Sequence, residues 1–366
     1  MAYDLQAPAL QLYPFMGAMT LLRNNIPRVA GGGDTATRWK AITGINTGNT
    51  HPGVAEGQRG GYVATTLSPF TAAYVGLGLE DFVSFEADYA AQGFDDAKAK
   101  AALGLLRSLM IQEENMLLGG NASNHLGVTP DPTLSAGGSG ATLPGAPTTY
   151  SVICVALTPQ GASRSSLANG IVQTISKSNA DATSDSIKGG AAGKSNAITQ
   201  AITLGQALTC TVAAVDGAAA YAWFVGAAGS EKLEAITSTN QAVFSKPLAG
   251  TGQAASAVSA SDLSYDSTYN FDGLLSYATA ANGAQVKALA AGATLTSDGA
   301  GGVTEINDLM QAMYDKSRMG ITDLLVSSQG IRLINKLCIG NGSAPLFRFN
   351  LDGAGQAGIE IGRAHV

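Results

Sequence analysis

Charged side chains are scarce in this 366-residue chain: Asp, Glu, Lys and Arg make up 13% of it, about half the usual globular share of ~25%. Aromatics are only 6%. An exterior with so few charges leaves neutral or apolar surface, which tends to be covered by other subunits or domains. No run of Lys and Arg occurs, the net charge is −6 and the pI is about 5.1. That balance argues against a high-affinity nucleic-acid binder, whose face must be basic. Three cysteines, Cys154, Cys210 and Cys338, are too few and too scattered for a disulfide framework, and a reducing compartment is the simple reading. The three histidines, His51, His125 and His365, share no metal-ligand spacing. The opening MAYDLQAPALQLYPF has neither the basic region nor the apolar run of an export signal. No stretch approaches the ~20 uninterrupted apolar residues of a membrane helix. No membrane partner is expected.

Apolar residues reach 45%, enough for a real core, which excludes wholesale disorder. The length exceeds the ~250–300 residues at which one core stops growing, so two domains are expected rather than one. Residues 1–36 hold Pro8, Pro14, Pro27 and Gly31-Gly32-Gly33, and read as an extended arm that must pack on something else. Segments 37–46 and 62–67 read as two strands around a Gly-rich loop, a long hairpin that is unstable by itself. Asp95 and Asp96 then open the clearest helix, KAKAALGLLRSLMIQEENMLLGG. Ala102, Leu105, Leu106, Leu109 and Glu113 share a stripe on it, and Gly119-Gly120 stops it. At 1.5 Å per residue it is on the order of 35 Å long, which suits a scaffold element.

Residues 121–265 change character. Strand-like segments at 150–157, 171–176, 208–215, 221–225 and 241–246, separated by turn residues, predict a β-sandwich. Gly-rich stretches (SAGGSGATLPGAP and LAGTGQAASAVSASD) read as its joints. Helical signals return afterwards: FDGLLSYA as a compact turn, an amphipathic helix over 304–319 with Ile306, Leu309, Met310 and Met313 on one face, a buried strand over 322–327 and a second helix over 328–337. The fold class is α+β.

Motifs that suggest chemistry have plainer readings. GGAAGKS (189–195) has Lys188 where a phosphate loop needs its first glycine, so a flexible glycine loop is expected. Glu113 and Glu114 are adjacent on a helix and point about 100° apart, which suits solvated or inter-subunit charge better than a catalytic pair. Cys338 reads as a buried structural thiol. His51 reads as loop surface or an inter-subunit contact. Trp39 reads as packing at the hairpin base, and Trp223 as sandwich core rather than a sugar-stacking platform. No catalytic residue, cofactor-binding residue, metal ligand or cofactor is assigned, and the chain is not expected to be an enzyme.

The order of pieces resembles a family. MIQEENMLLGGN (110–121) looks like the end of the long P-domain helix, NFDGLLSYA (270–278) like the segment returning to the A domain, and MGITDLLVSSQGIRLINKL (319–337) like the A-domain helix–strand–helix of tailed-bacteriophage major capsid proteins with the HK97-type fold. The resemblance covers roughly 15–120 and 266–350. The middle is similar to the Ig-like insertions of phage structural proteins. Cys210 and Trp223 sit at strand-B to strand-C spacing, but a second framework cysteine is missing. The resemblance implies an N-terminal arm (1–36), an E-loop hairpin (37–67), a P domain with its spine helix (68–120), an Ig-like insertion (121–265) and an A domain (266–366). It implies self-assembly into the hexamers and pentamers of a virion shell in the host bacterial cytoplasm, with a separate scaffolding protein, a portal and weakly held packaged DNA as partners. The hairpin tip, 47–61, has no lysine for the cross-link some members form. The closing IGRAHV matches one frame of a sequencing-adapter sequence, so the A domain is expected to be truncated. The rival expectations are an encapsulin-like nanocompartment shell on the same fold and a secreted Ig-like adhesin.

Overall fold

The computed structural model describes residues 21–29, 34–45, 51–62, 64–91, 96–143, 149–279, 282–287, 289, 293–318, 320–339, 347–351 and 357–361. Most of the arm (1–20) and the end of the adapter-like tail (362–366) lie outside them. The fold is mixed α and β, with several antiparallel sheets. The chain divides into two units, Pro27–Gly76 on one side and Met1–Ile26 with Leu77–Val366 on the other.

The smaller unit is a two-stranded ribbon, β1 (Ala36–Ile45) against β2 (Thr65–Ala73). The second strand therefore lies later than the sequence reading placed it. Tyr62, expected at its start, is 99% exposed and outside it. The Ser68-Pro69 pair looks like a breaker, yet Pro69 sits opposite Lys40 in the register. Each strand of a two-stranded ribbon has an outward edge, and proline is tolerated where its missing N–H faces out. Trp39 lies opposite Phe70, and the two rings stack with centroids 5.9 Å apart, a cross-strand pair worth about 0.5–1.5 kcal/mol.

In the larger unit, a short helix α1 (Leu21–Asn25) packs with the long helix α3 (Ala97–Gly119), and α2 (Phe85–Ala91) precedes α3. Asp96 caps α3 by accepting from the Ala99 backbone N–H at 2.9 Å, as a carboxylate at a helix start should. Gly119 is its only buried residue. Gly120 ends it with φ −55° rather than a left-handed turn. Glycine is required there by closeness: a Cβ would meet the Phe271 carbonyl at 2.5 Å.

A two-sheet sandwich follows. One sheet holds, in spatial order, β11 (Gln241–Phe244), β8 (Ala207–Thr211) and β3 (Thr133–Gly137). The other holds β10 (Lys232–Thr237), β9 (Ala220–Gly226), β4 (Thr149–Leu157) and β7 (Ile198–Ala201). Trp223, Tyr150, Val152, Cys154 and Val225 from the second sheet meet Leu208 and Cys210 from the first in one core. The other face of the second sheet carries Ile153, Val155, Leu157, Phe224 and Leu233 against Ile171, Ala255 and Val258. With both faces covered, β4 reads as one apolar run instead of an alternation. A short helix α4 (Pro159–Arg164) and a hairpin of β5 (Thr174–Ser178) and β6 (Ser184–Lys188) flank the sandwich.

The described parts of the Gly-rich stretches expected as joints lie within the sandwich instead. The strand β3 starts before the first of them and runs into it, and Ala255 and Val258 of the second are core residues.

The last part holds α5 (Leu274–Tyr277), α6 (Thr304–Ser317), α7 (Ser328–Ile339) and the paired strands β12 (Phe347–Leu351) and β13 (Ala357–Ile361). Val303, Ile334 and Cys338 pack here, with Ile306 and Val326 beside them. The expected strand at 322–327 is not formed, and Leu325 is 50% exposed. Among the described residues no strand pairs with that stretch, and a strand needs a ladder partner to exist. Helix α6 ends one turn short of Gly320, on Arg318 in the left-handed region at φ 55°.

Candidate functional site

The structure supplies a candidate in the form of apolar surface on elements that bury little of themselves. Successive strand residues alternate between faces. On the ribbon, Arg38, Lys40 and Ile42 therefore share one face, and Leu67 lies across from Ile42 on it. Ile42 is 64% and Leu67 55% exposed.

In the larger unit, residues 77–91 form a second such surface. Leu77, Leu79, Phe82, Phe85 and Tyr89 are exposed, Phe82 to 84%. Phe85 and Tyr89 are one helical turn apart, so they share a face of α2. Their rings stack at 6.3 Å. No residue of α2 is buried, and an ion pair from Asp88 to Lys98 (2.7 Å) ties it to α3. The sequence reading passed over this segment. Its signal is there in Phe85 and Tyr89 at i and i+4, the spacing that puts two rings on one helix face.

Glu113 and Glu114 are not free surface charges. Glu114 accepts the backbone N–H groups of Leu22 and Arg23 at 2.8 and 2.7 Å, and Glu113 accepts the Arg23 guanidinium. The two carboxylates hold the first turn of α1, where unpaired backbone N–H groups attract negative charge. Leu22 is buried beside them. At least this part of the expected arm therefore packs on its own chain.

The sandwich is joined to α3 by a fixed neck. Gly273 donates its backbone N–H to the Gly120 carbonyl at 2.9 Å, and Asp266 donates to the Asn121 carbonyl at 2.9 Å. Buried Asn121 reaches the Ser264 carbonyl through its side-chain amide at 3.0 Å. Gln160 and Asn270 exchange side-chain amide bonds at 3.3 and 3.4 Å. The outgoing and returning chains thus meet at the end of the long helix.

The residues that suggested chemistry are structural. The glycine loop 189–195 is packed, not flexible: the backbone N–H groups of Gly189, Gly190, Ala192, Gly193 and Ser195 donate to the carbonyls of Gln173, Leu263, Ala156, Gly127 and Cys154. A Cβ on Gly189 would come within 2.0 Å of the Val172 carbonyl. Those donors are spent inside the fold and cannot cradle a phosphate. Trp223 is fully buried and donates its indole N–H to Thr237 at 2.8 Å, which leaves no face for a sugar. Cys210 and Trp223 lie on facing sheets of the same core. All three cysteines are free and buried. Burial pushes the Cys210 thiol up to about 12 and that of Cys154 higher still, so neither is a nucleophile near neutral pH. His51 is exposed in the hairpin loop, its Nδ1 accepting from Gly53 at 3.0 Å. His125 lies against the Tyr265 ring, with Lys188 over the same ring.

Among the described residues, no group of three His, Cys, Asp or Glu side chains could hold a metal ion, and no helix is long and apolar enough to cross a membrane. Comparison of the chain with models of protein families, with curated proteins and with solved structures finds no match.

Proposed function

We propose that this chain is a structural protein, the major capsid protein of a tailed double-stranded DNA phage, built to assemble with copies of itself. The supporting observation is the poverty of burial in its extended elements. A 23-residue helix buries only Gly119, a helix before it buries nothing, and the ribbon keeps Ile42 and Leu67 exposed. Apolar area left in water forgoes roughly 25 cal/mol per Å², and an oligomer recovers it. Scarce surface charge fits the same reading, since few charges are then desolvated at the contacts. The sandwich, seated on the end of the long helix by its hydrogen-bonded neck, would be carried by the shell as a rigidly attached decoration.

The test is negative-stain microscopy of the expressed 366-residue chain. Closed shells, hexamers or pentamers support the proposal. A field of uniform single subunits at high protein concentration overturns it.

A further inference from the structure

The tripeptide Ala-Asn-Gly occurs twice in the sequence, at 168–170 and at 281–283. Asparagine before glycine is prone to internal ring closure, because a residue without a Cβ lets its backbone nitrogen approach the preceding side chain. The two tripeptides are identical, so any difference in their reactivity comes from the fold. Asn169 lies in a closed turn. Gly170 is buried, donates its N–H to the Ser166 carbonyl at 2.8 Å and accepts the Ser166 N–H at 3.1 Å. The Gln253 side chain backs it so closely that a Cβ on Gly170 would come within 2.7 Å. Gly283 is the opposite case. It and Asn282 are exposed, and among the described residues the Gly283 N–H has no acceptor. The turn around it is held nonetheless. The backbone N–H groups of Asn282 and Ala284 both donate to the Thr279 carbonyl at 3.1 Å, and the Asn282 side-chain amide donates to the Tyr277 carbonyl at 2.9 Å. Lys316 donates to the Gly283 carbonyl. The fold thus keeps the Asn282 side chain beside a backbone nitrogen that has no hydrogen bond to give up.

We propose that Asn282 is a self-modification site, at which the Gly283 backbone nitrogen displaces the side-chain amide and turns Asn282 into aspartate or isoaspartate. The nitrogen gives its proton to solvent and bonds to Cγ of Asn282. The Cγ–Nδ2 bond breaks, and the departing nitrogen takes a proton from solvent and leaves as ammonia. Water then opens the cyclic imide at either carbonyl, and no oxidant or cofactor enters. Asn169 closes the same ring only by breaking the Ser166–Gly170 pair, which slows it by at least about tenfold. Conversion of Asn282 removes the donor held on the Tyr277 carbonyl and puts a carboxylate, an acceptor only, in its place. The turn after α5 therefore opens. The change runs one way, so it marks the age of each copy of the chain.

The test incubates the 366-residue chain in mildly alkaline buffer, with a parallel sample in concentrated urea, and follows both tripeptides by peptide mass spectrometry. In the folded chain Asn282 should convert at least about tenfold faster than Asn169, and in urea the two should convert at matching rates. An Asn282 that stays intact, or converts no faster than Asn169, overturns the proposal. So does a lead of the same size in urea, because the fold is then not its cause. Asn282→Asp makes one product directly, and hydrogen exchange at the Ala284 N–H should then run several-fold faster than in the wild type. Unchanged exchange would contradict the opening of the turn.

Discussion

Asp272 clamps Ser123 across the neck of the sandwich. One carboxylate oxygen accepts the backbone N–H groups of Ala122 and Ser123 at 2.8 and 2.9 Å, and the other accepts the Ser123 hydroxyl at 2.6 Å. Hydrogen bonds to a charged acceptor are the stronger kind. Asp272→Ala should therefore lower stability by about 2 kcal/mol, read as a shift in the urea midpoint. Asp272→Asn, which keeps one acceptor oxygen, should lose less. A change below ~0.5 kcal/mol for the alanine variant would mean that the clamp does not hold the neck.

The two tryptophans occupy opposite environments, Trp223 fully buried and Trp39 47% exposed. Iodide quenching should therefore reach one emitter and spare the other, giving a downward-curving quenching plot. Trp223→Ala should cost about 3–5 kcal/mol through the cavity it leaves, whereas Trp39→Ala should leave the sandwich's unfolding transition in place.

Buried Glu231 gives the sandwich a pH dependence. Burial opposes its charge, but the Ser151 hydroxyl, backbone N–H groups including that of Gly229, and the nearby Lys194 outweigh it and hold the carboxyl below its ordinary value. A group whose folded value is depressed contributes stability above its unfolded value, near ~4.3, and loses it as pH falls through the folded one. Chemical denaturation from pH 7 down to pH 3 should show the wild type weakening more steeply than Glu231→Gln at the acid end. Parallel curves would contradict the assignment.

Arg318 holds a left-handed conformation at the end of α6, with its N–H on the Tyr314 carbonyl at 2.7 Å. A side chain there costs roughly 1 kcal/mol that glycine avoids. Arg318→Gly should raise the melting temperature by a few degrees. A lower melting temperature would show that the contact of Arg318 with the Tyr314 ring outweighs the backbone strain.

Much of this fold was legible where one element carries its own signal. The long helix announces itself through Asp96 and its Gly-Gly end, and β4 through its apolar run 150–157. What stayed hidden depends on partners distant in sequence. β3, β7 and β10 are short and half-exposed, and only their neighbours define them. Residues 322–327 have the composition of a strand but no strand to pair with among the described residues. The Gly-rich stretch 189–195 reads as flexible by composition, yet its glycines serve close packing rather than freedom. The roles of Glu113 and Glu114 required knowing that Arg23, 90 residues earlier, lies beside them. The helical pair Phe85 and Tyr89 was readable from spacing, but its exposure was not.

If the chain builds a shell, the surfaces left bare in a single copy must be covered by other copies. Sedimentation velocity of the 37.0 kDa chain over a hundredfold range of concentration measures it directly. The expected result is a shift from subunits to rings or shells as concentration rises. A single species of monomer mass at every concentration would contradict it.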